Sequence, residues 1–331
     1  MKTISGLMGK VPSITTSHNR AYAKIWESLL RSEIVYDTDF KGTKDDTIFL
    51  YLGINHKPDG LNLFGGLDDK LYESMNNFIN SEAKFFTLDY PMPDFKEHFI
   101  KRLPNKTTYS GWTEEFLDAL TEKCKGIETI TMRDMVKDKL VIGDSHSLSV
   151  TPGGTPVFRL DAKTLHGALK DDFIEDMIPE TVKYLTLQFG SVDLRHHLFR
   201  QNDPYSALET LCLKYLLLIT KLESKGIKVE VHSPVPIELE ERKMAGTTLY
   251  KKTPFTGSRE DRLKMTLMFI KLMRNYIGTE NVAIYPKEWY SMDPGEYASK
   301  IMEGGENLPG KGIHVGFPHY RMNNFGLLSV N

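Results

Sequence analysis

Apolar residues recur along the chain at two spacings, and each spacing marks a kind of element. Continuous apolar runs of strand length occur at 46–54 (DTIFLYLGI) and 83–93 (AKFFTLDYPMP), the second stopped by two prolines. Between them, Leu67, Leu71, Met75, Phe78 and Ile79 fall at helical spacing within 65–82. A strand, a helix and a strand in that order predict a parallel pair. An amphipathic helix over 112–126, opened by Thr113 and its acids, and a strand over 127–132 continue the pattern. The rhythm returns with strands at 139–143, 156–160, 182–190 and 227–236. Its long helices are 205–226, ending at a glycine, and 258–278, with Ser258 as N-cap and Glu260 and Asp261 in the first turn. The Met and Leu stripe of the last helix is read as core packing.

The expected fold is therefore α/β: two Rossmann-like, doubly wound domains with a cleft between them. They cover 1–135 and 136–331, with the boundary near RDMVKD at 133–138. No internal repeat is visible. The opening residues lack a long apolar core, and no later run approaches the ~20 apolar residues of a membrane helix. A soluble protein of the cytoplasm, with no membrane partner, is expected. The two cysteines, Cys124 and Cys212, form no motif. Lysine and arginine number 42 against 44 acidic residues, for a net charge of −2. That balance lacks the basic excess typical of proteins that live on nucleic acid.

Candidate chemistry gathers in three segments. In DKLVIGDSHSLSV (138–150), a buried strand runs through Gly143 into Asp144, Ser145 and His146. In LQFGSVDLRHHLFR (187–200), a strand ends at Gly190 and is followed by Asp193, Arg195, His196, His197 and Arg200. The third, GKGIHVGFPHYR (310–321), carries Lys311, His314 and His319. Strand ends of a parallel sheet are where ligands sit, and these groups suffice for nucleophilic or acid–base work. Ser145 also suits a helix cap, Asp144 a turn, and the His196–His197 pair structural hydrogen bonding. No histidine pair at i,i+4 supports a metal site, and none is expected.

GDSH after a strand, Gly-x-x-Asp after a central strand and KGIH near the end resemble the SGNH (GDSL-like) hydrolases in their GDSH variant, over about residues 139–320. The resemblance implies Ser145 as nucleophile, His314 as base, Gly190 as second oxyanion position, and Asp193 and Arg195 as pocket residues. Val192 stands where the family has an oxyanion-donating Asn, and Lys311 where it has the Asp that orients the His. Loss of one oxyanion donor costs about 2.7–4 kcal/mol of transition-state stabilisation. These departures point away from simple ester hydrolysis.

A second resemblance lies in 61–95, where Asn62, Phe64, Gly65 and Gly66 lead into a helix and the next strand ends at Asp89 and Pro91. This is similar to the N-terminal domain of the T-even phage DNA β-glucosyltransferases. Two adjacent glycines before a helix let a backbone approach a phosphate. That resemblance implies a phage-type DNA-modification transferase, moving a sugar from a nucleotide-sugar such as a UDP-sugar to a hydroxymethylated pyrimidine in DNA. Asp144, Asp193 or a histidine would then take the hydroxyl proton, and Arg195, Arg200 or Lys311 would neutralise the diphosphate. This transferase is the leading expectation. An SGNH-type ester hydrolase or acyltransferase using Ser145 is the second, and a non-catalytic nucleic-acid or carbohydrate binder on the same scaffold the third.

Overall fold

The computed structural model describes residues 2–6, 17–35, 40–51, 69–92, 111–236, 256–290 and 321. The chain divides into two compact units, Met1–Met135 and Val136–Asn331.

In the first unit the elements run β1 (Lys2–Gly6), α1 (Ser17–Leu30), β2 (Glu33–Val35), β3 (Thr47–Tyr51), α2 (Asp69–Asn80), β4 (Lys84–Leu88), α3 (Glu114–Cys124) and β5 (Glu128–Ile130). The five strands form one parallel sheet in the order β2-β1-β3-β4-β5. Phe40, Phe78 and Phe85 pack edge to face in its core. α1 buries Ala21, Ile25 and Trp26. Asp89, just past β4, accepts hydrogen bonds from Tyr22, the Trp26 indole and the Met132 amide. It thus ties the end of β4 to α1 and to the turn that closes the unit.

The second unit runs β6 (Lys139–Gly143), α4 (Ser147–Val150), β7 (Val157–Arg159), α5 (Leu165–Ala168), α6 (Phe173–Met177), β8 (Tyr184–Gln188), α7 (Ser191–His196), α8 (Pro204–Ser224), β9 (Lys228–His232), α9 (Arg259–Ile277) and β10 (Val282–Ala283). Its sheet is also parallel, in the order β10-β9-β8-β6-β7. Counted from the first strand of each unit, both sheets have the order 2-1-3-4-5, the flavodoxin-like winding. One face of the second sheet carries Leu140, Ile142, Leu185, Leu187, Val229 and Val231 into the core shared with α8 and α9.

The helix boundaries follow local chemistry. α8 starts at an Asp203 N-cap, whose carboxylate accepts the Tyr205 and Ser206 amides. It ends in a Schellman arrangement, with Gly226 N–H bonded to the Glu223 carbonyl and Ile227 N–H to that of Leu222. α9 opens with a reciprocal capping box between Ser258 and Asp261. The Met and Leu stripe of α9 does face the core, through Leu263, Met265, Phe269 and Met273. Among the described residues, no helix is long and apolar enough to cross a membrane.

Candidate active site

In a 2-1-3-4-5 sheet the winding reverses between the first and third strands, and crossovers diverge there to open a crevice. In the second unit this switch point lies between the carboxyl ends of β6 and β8. The two segments singled out in the sequence, Gly143–His146 and Gly190–Arg200, follow those two strands directly.

Gly143 sets how closely the strand ends approach. A Cβ there would lie 2.3 Å from the Gln188 carbonyl oxygen and 2.9 Å from the Ser147 Cβ. Only glycine fits without moving backbone. The Asp144 amide then bonds the same Gln188 carbonyl at 3.0 Å, pinning the turn to β8. Asp144 Oδ1 accepts the His146 amide at 2.9 Å, which closes the turn before α4. The cap position of the short α4 falls on His146, which makes no side-chain cap bond. Of the three residues after Gly143, Asp144 and His146 are buried and only Ser145 is half-exposed.

Electrostatics of the turn are unusual for a surface loop. Burial raises the Asp144 pKa to about 7, against support for the carboxylate from the His146 amide and the Arg195 charge; Asp193 adds to the rise. Its Oδ2 is buried, and the Ser191 amide favours the charged form. Arg195 comes from α7 and places its guanidinium 2.9 Å from His146 Nε2. A guanidinium only donates, so Nε2 accepts and the neutral His146 ring carries its proton on Nδ1.

The remaining sequence-predicted residues separate by role. Asp193 is buried. Its two oxygens accept the Leu165 amide at 2.6 Å and the His166 amide at 3.2 Å, holding the first turn of α5. Burial raises its pKa against those two bonds. Gly190 takes φ +104° at the start of α7, a conformation that favours glycine. His196 is buried with its pKa pushed down to about 3, by desolvation first and then by the charges of Arg195, His197, Arg200 and Arg262. His197 is half-buried and shifted down, mainly by desolvation. Arg200 is exposed and donates to Thr256 Oγ1. Asn62, Phe64, Gly65, Gly66, Lys311, His314 and His319 lie outside the described residues.

Several polar groups at this end of the sheet went unmarked in the sequence. Gln188, the last residue of β8, is fully buried with neither amide atom hydrogen-bonded, and Ser147 Oγ and His232 Nε2 are in the same condition. These groups give the ends of β6, β8 and β9 a polar character beside the Gly143–His146 turn. His232 donates from Nδ1 to the Ser233 carbonyl, and burial takes its pKa down to about 3. A glutamine closing an otherwise apolar strand was the available signal for Gln188. Among the described residues, no cluster of three or more His, Cys, Asp or Glu is arranged to hold a metal ion.

Comparison with known proteins adds no further constraint. No family model, curated protein or solved structure matches the chain.

Proposed function

We propose that the second unit is the catalytic half of a group-transfer enzyme, with Ser145 as the nucleophile of an acyl transfer. One observation carries this reading. Ser145 is the half-exposed residue of a turn that Gly143, Asp144 and Gln188 lock at the switch point of a parallel sheet. In the reaction, Ser145 Oγ attacks an ester carbonyl carbon and the ester C–O bond breaks. The Oγ proton passes through a base to the departing alcohol, and water or a second hydroxyl then takes the acyl group. His146 is not the base, because its acceptor nitrogen is held by Arg195. The SGNH resemblance nominates His314 for that role and the Gly190 backbone for the oxyanion. Incubation with a fluorophosphonate should add its phosphonyl mass to the peptide bearing Ser145, and Ser145→Ala should abolish the adduct. Labelling that persists in the variant, or never occurs in the wild type, would remove the nucleophile from the reading.

A second reading is the DNA-modifying sugar transfer from a nucleotide-sugar, of which a UDP-sugar is the leading example. The observation favouring it is that Arg195 on α7 and Arg200 just after it follow the carboxyl end of β8, cations of the kind that neutralise a diphosphate leaving group. Two parallel α/β units in one chain are also the architecture such an enzyme requires. In that mechanism Asp193 is excluded as the base by its engagement with α5. Stabilisation by UDP or UDP-sugars is its test.

A further inference from the structure

The outward face of α8 carries an apolar strip that neither reading of function uses. Leu213 is 45% exposed, and Leu217 is 69% exposed, the highest value for a large apolar side chain among the described residues. One exposed leucine is ordinary on a folded protein. Two leucines four residues apart lie one above the other on a helix and form a continuous strip.

The exposed groups around that strip read the same from both ends. Tyr215, at the middle of α8, is fully buried and sets the outward direction on the opposite side of the helix. At about 100° per residue, Leu213 and Leu217 lie within about 20° of that direction, Thr210 and Thr220 within about 40°, and Glu209 and Lys221 within about 60°. All six are exposed. Counted outward from Tyr215, leucine matches leucine, threonine matches threonine, and glutamate matches lysine. Lys214 is also exposed but lies about 80° round, on the flank of this face. A patch that meets its own copy across a two-fold axis must be its own complement.

We propose that α8 is a dimer interface, packed antiparallel against α8 of a second copy of this chain about a two-fold axis at Tyr215. In that arrangement Leu213 lies opposite Leu217 of the second copy, Thr210 opposite its Thr220 and Glu209 opposite its Lys221. The leucines supply the burial and the charges set the direction, because parallel helices would bring Glu209 to Glu209 and Lys221 to Lys221. Glu209 makes no ion pair among the described residues. Lys221 Nζ lies 3.0 Å from Asp172 and 2.7 Å from Glu175, and an ammonium has three N–H donors, so one remains for Glu209 of the second copy. An unlike protein gives no reason for the two ends of the face to match, and a membrane would have to accept Glu209 and both threonines beside the leucines. The interface does not depend on acyl or sugar transfer at Ser145.

A face one helix long belongs with the small interfaces, roughly 1,200 Å² or less, so association in the micromolar range is expected. In analytical ultracentrifugation of the full chain over about 1–100 μM, the average mass should climb from one chain toward two. Leu217→Lys replaces an exposed side chain, so its melting temperature at the low end of that range should match the wild type. Its mass should stay at one chain throughout. Mixing Thr210→Cys with Thr220→Cys under mild oxidation reads the register. A disulfide should join unlike chains in the mixture. Neither variant alone should form one above the wild-type level, since like positions lie about 15 Å apart along the paired helices. A mass that stays at one chain for the wild type, a rise that survives Leu217→Lys, or disulfides that favour like chains would overturn the proposal.

Discussion

Asp144 holds a proton that an exposed aspartate would have released. With a folded pKa of about 7 against the ordinary 3.8, the native state keeps that proton between about pH 4 and 7 while the unfolded chain loses it. Stability from this group is thus complete in acid and lost as pH rises through 7. His196 and His232, both pushed down to about 3, act in the opposite sense. Each is buried neutral, and its contribution is lost as pH falls below the ordinary value of 6.5 toward 3. The substitution Asp144→Asn keeps an acceptor for the His146 amide and removes the titration. Its urea midpoint should gain on that of the wild type as pH rises from about 5 to 8, since the histidine contributions are common to both. Midpoints that change in parallel would show that Asp144 ionises normally. The residues after Gly143 were legible as a group from their types alone. Which of them faces outward was not, because burial in a turn depends on the strand packed beside it.

At the scale of elements, the contact of β6 with β8 shapes the site. Gly143→Ala drives a methyl group against the Gln188 carbonyl, a backbone atom that cannot rotate aside. A loss of at least about 2 kcal/mol in chemical denaturation is expected. Gly153→Ala, where an added methyl meets nothing within 4 Å, should stay within about 0.5 kcal/mol of the wild type. Equal losses in the two variants would remove the steric argument. β6 and β8 were readable in advance because central parallel strands are buried on both faces and show as apolar runs. β1 was not. Lys-Thr-Ile-Ser-Gly has one large apolar residue, and its buried Thr3 gives no periodic signal. α1 was missed for the same reason, since its buried face includes alanines and Tyr22. Asp193 is a similar case: its sequence position fits a catalytic block, but α5 lies close enough to claim both oxygens.

At the scale of the molecule, the two units repeat one winding without a repeat visible in the sequence. A parallel sheet asks only for strand-length apolar runs joined by helical crossovers, and many sequences meet that demand. The second reading of function belongs to this scale, because a nucleotide-sugar transferase of the expected kind uses both halves. Ligand at about 100 times its dissociation constant stabilises the folded state by about 2.7 kcal/mol. In a chain of this size that corresponds to a rise of about 4 °C in melting temperature. UDP or a UDP-sugar should produce it if the sugar-transfer reading holds. A flat response across the nucleotides would remove the sugar-transfer reading.

The alternation of apolar runs and amphipathic stretches was enough, by itself, to determine an α/β chain built on parallel strands, because hydrophobic periodicity is a local property. It also determined the glycine end of α8 and the Ser258 cap of α9, where donor and acceptor lie within one turn of each other. Strand order, and with it the switch point that brings β6 and β8 together, was decided only in three dimensions. So were the burial of Asp144, the capture of His146 by Arg195 and the diversion of Asp193 to α5. Each of these depends on which residues, distant in sequence, share one low-dielectric crevice, and there the neighbours decide whether a carboxylate keeps its proton.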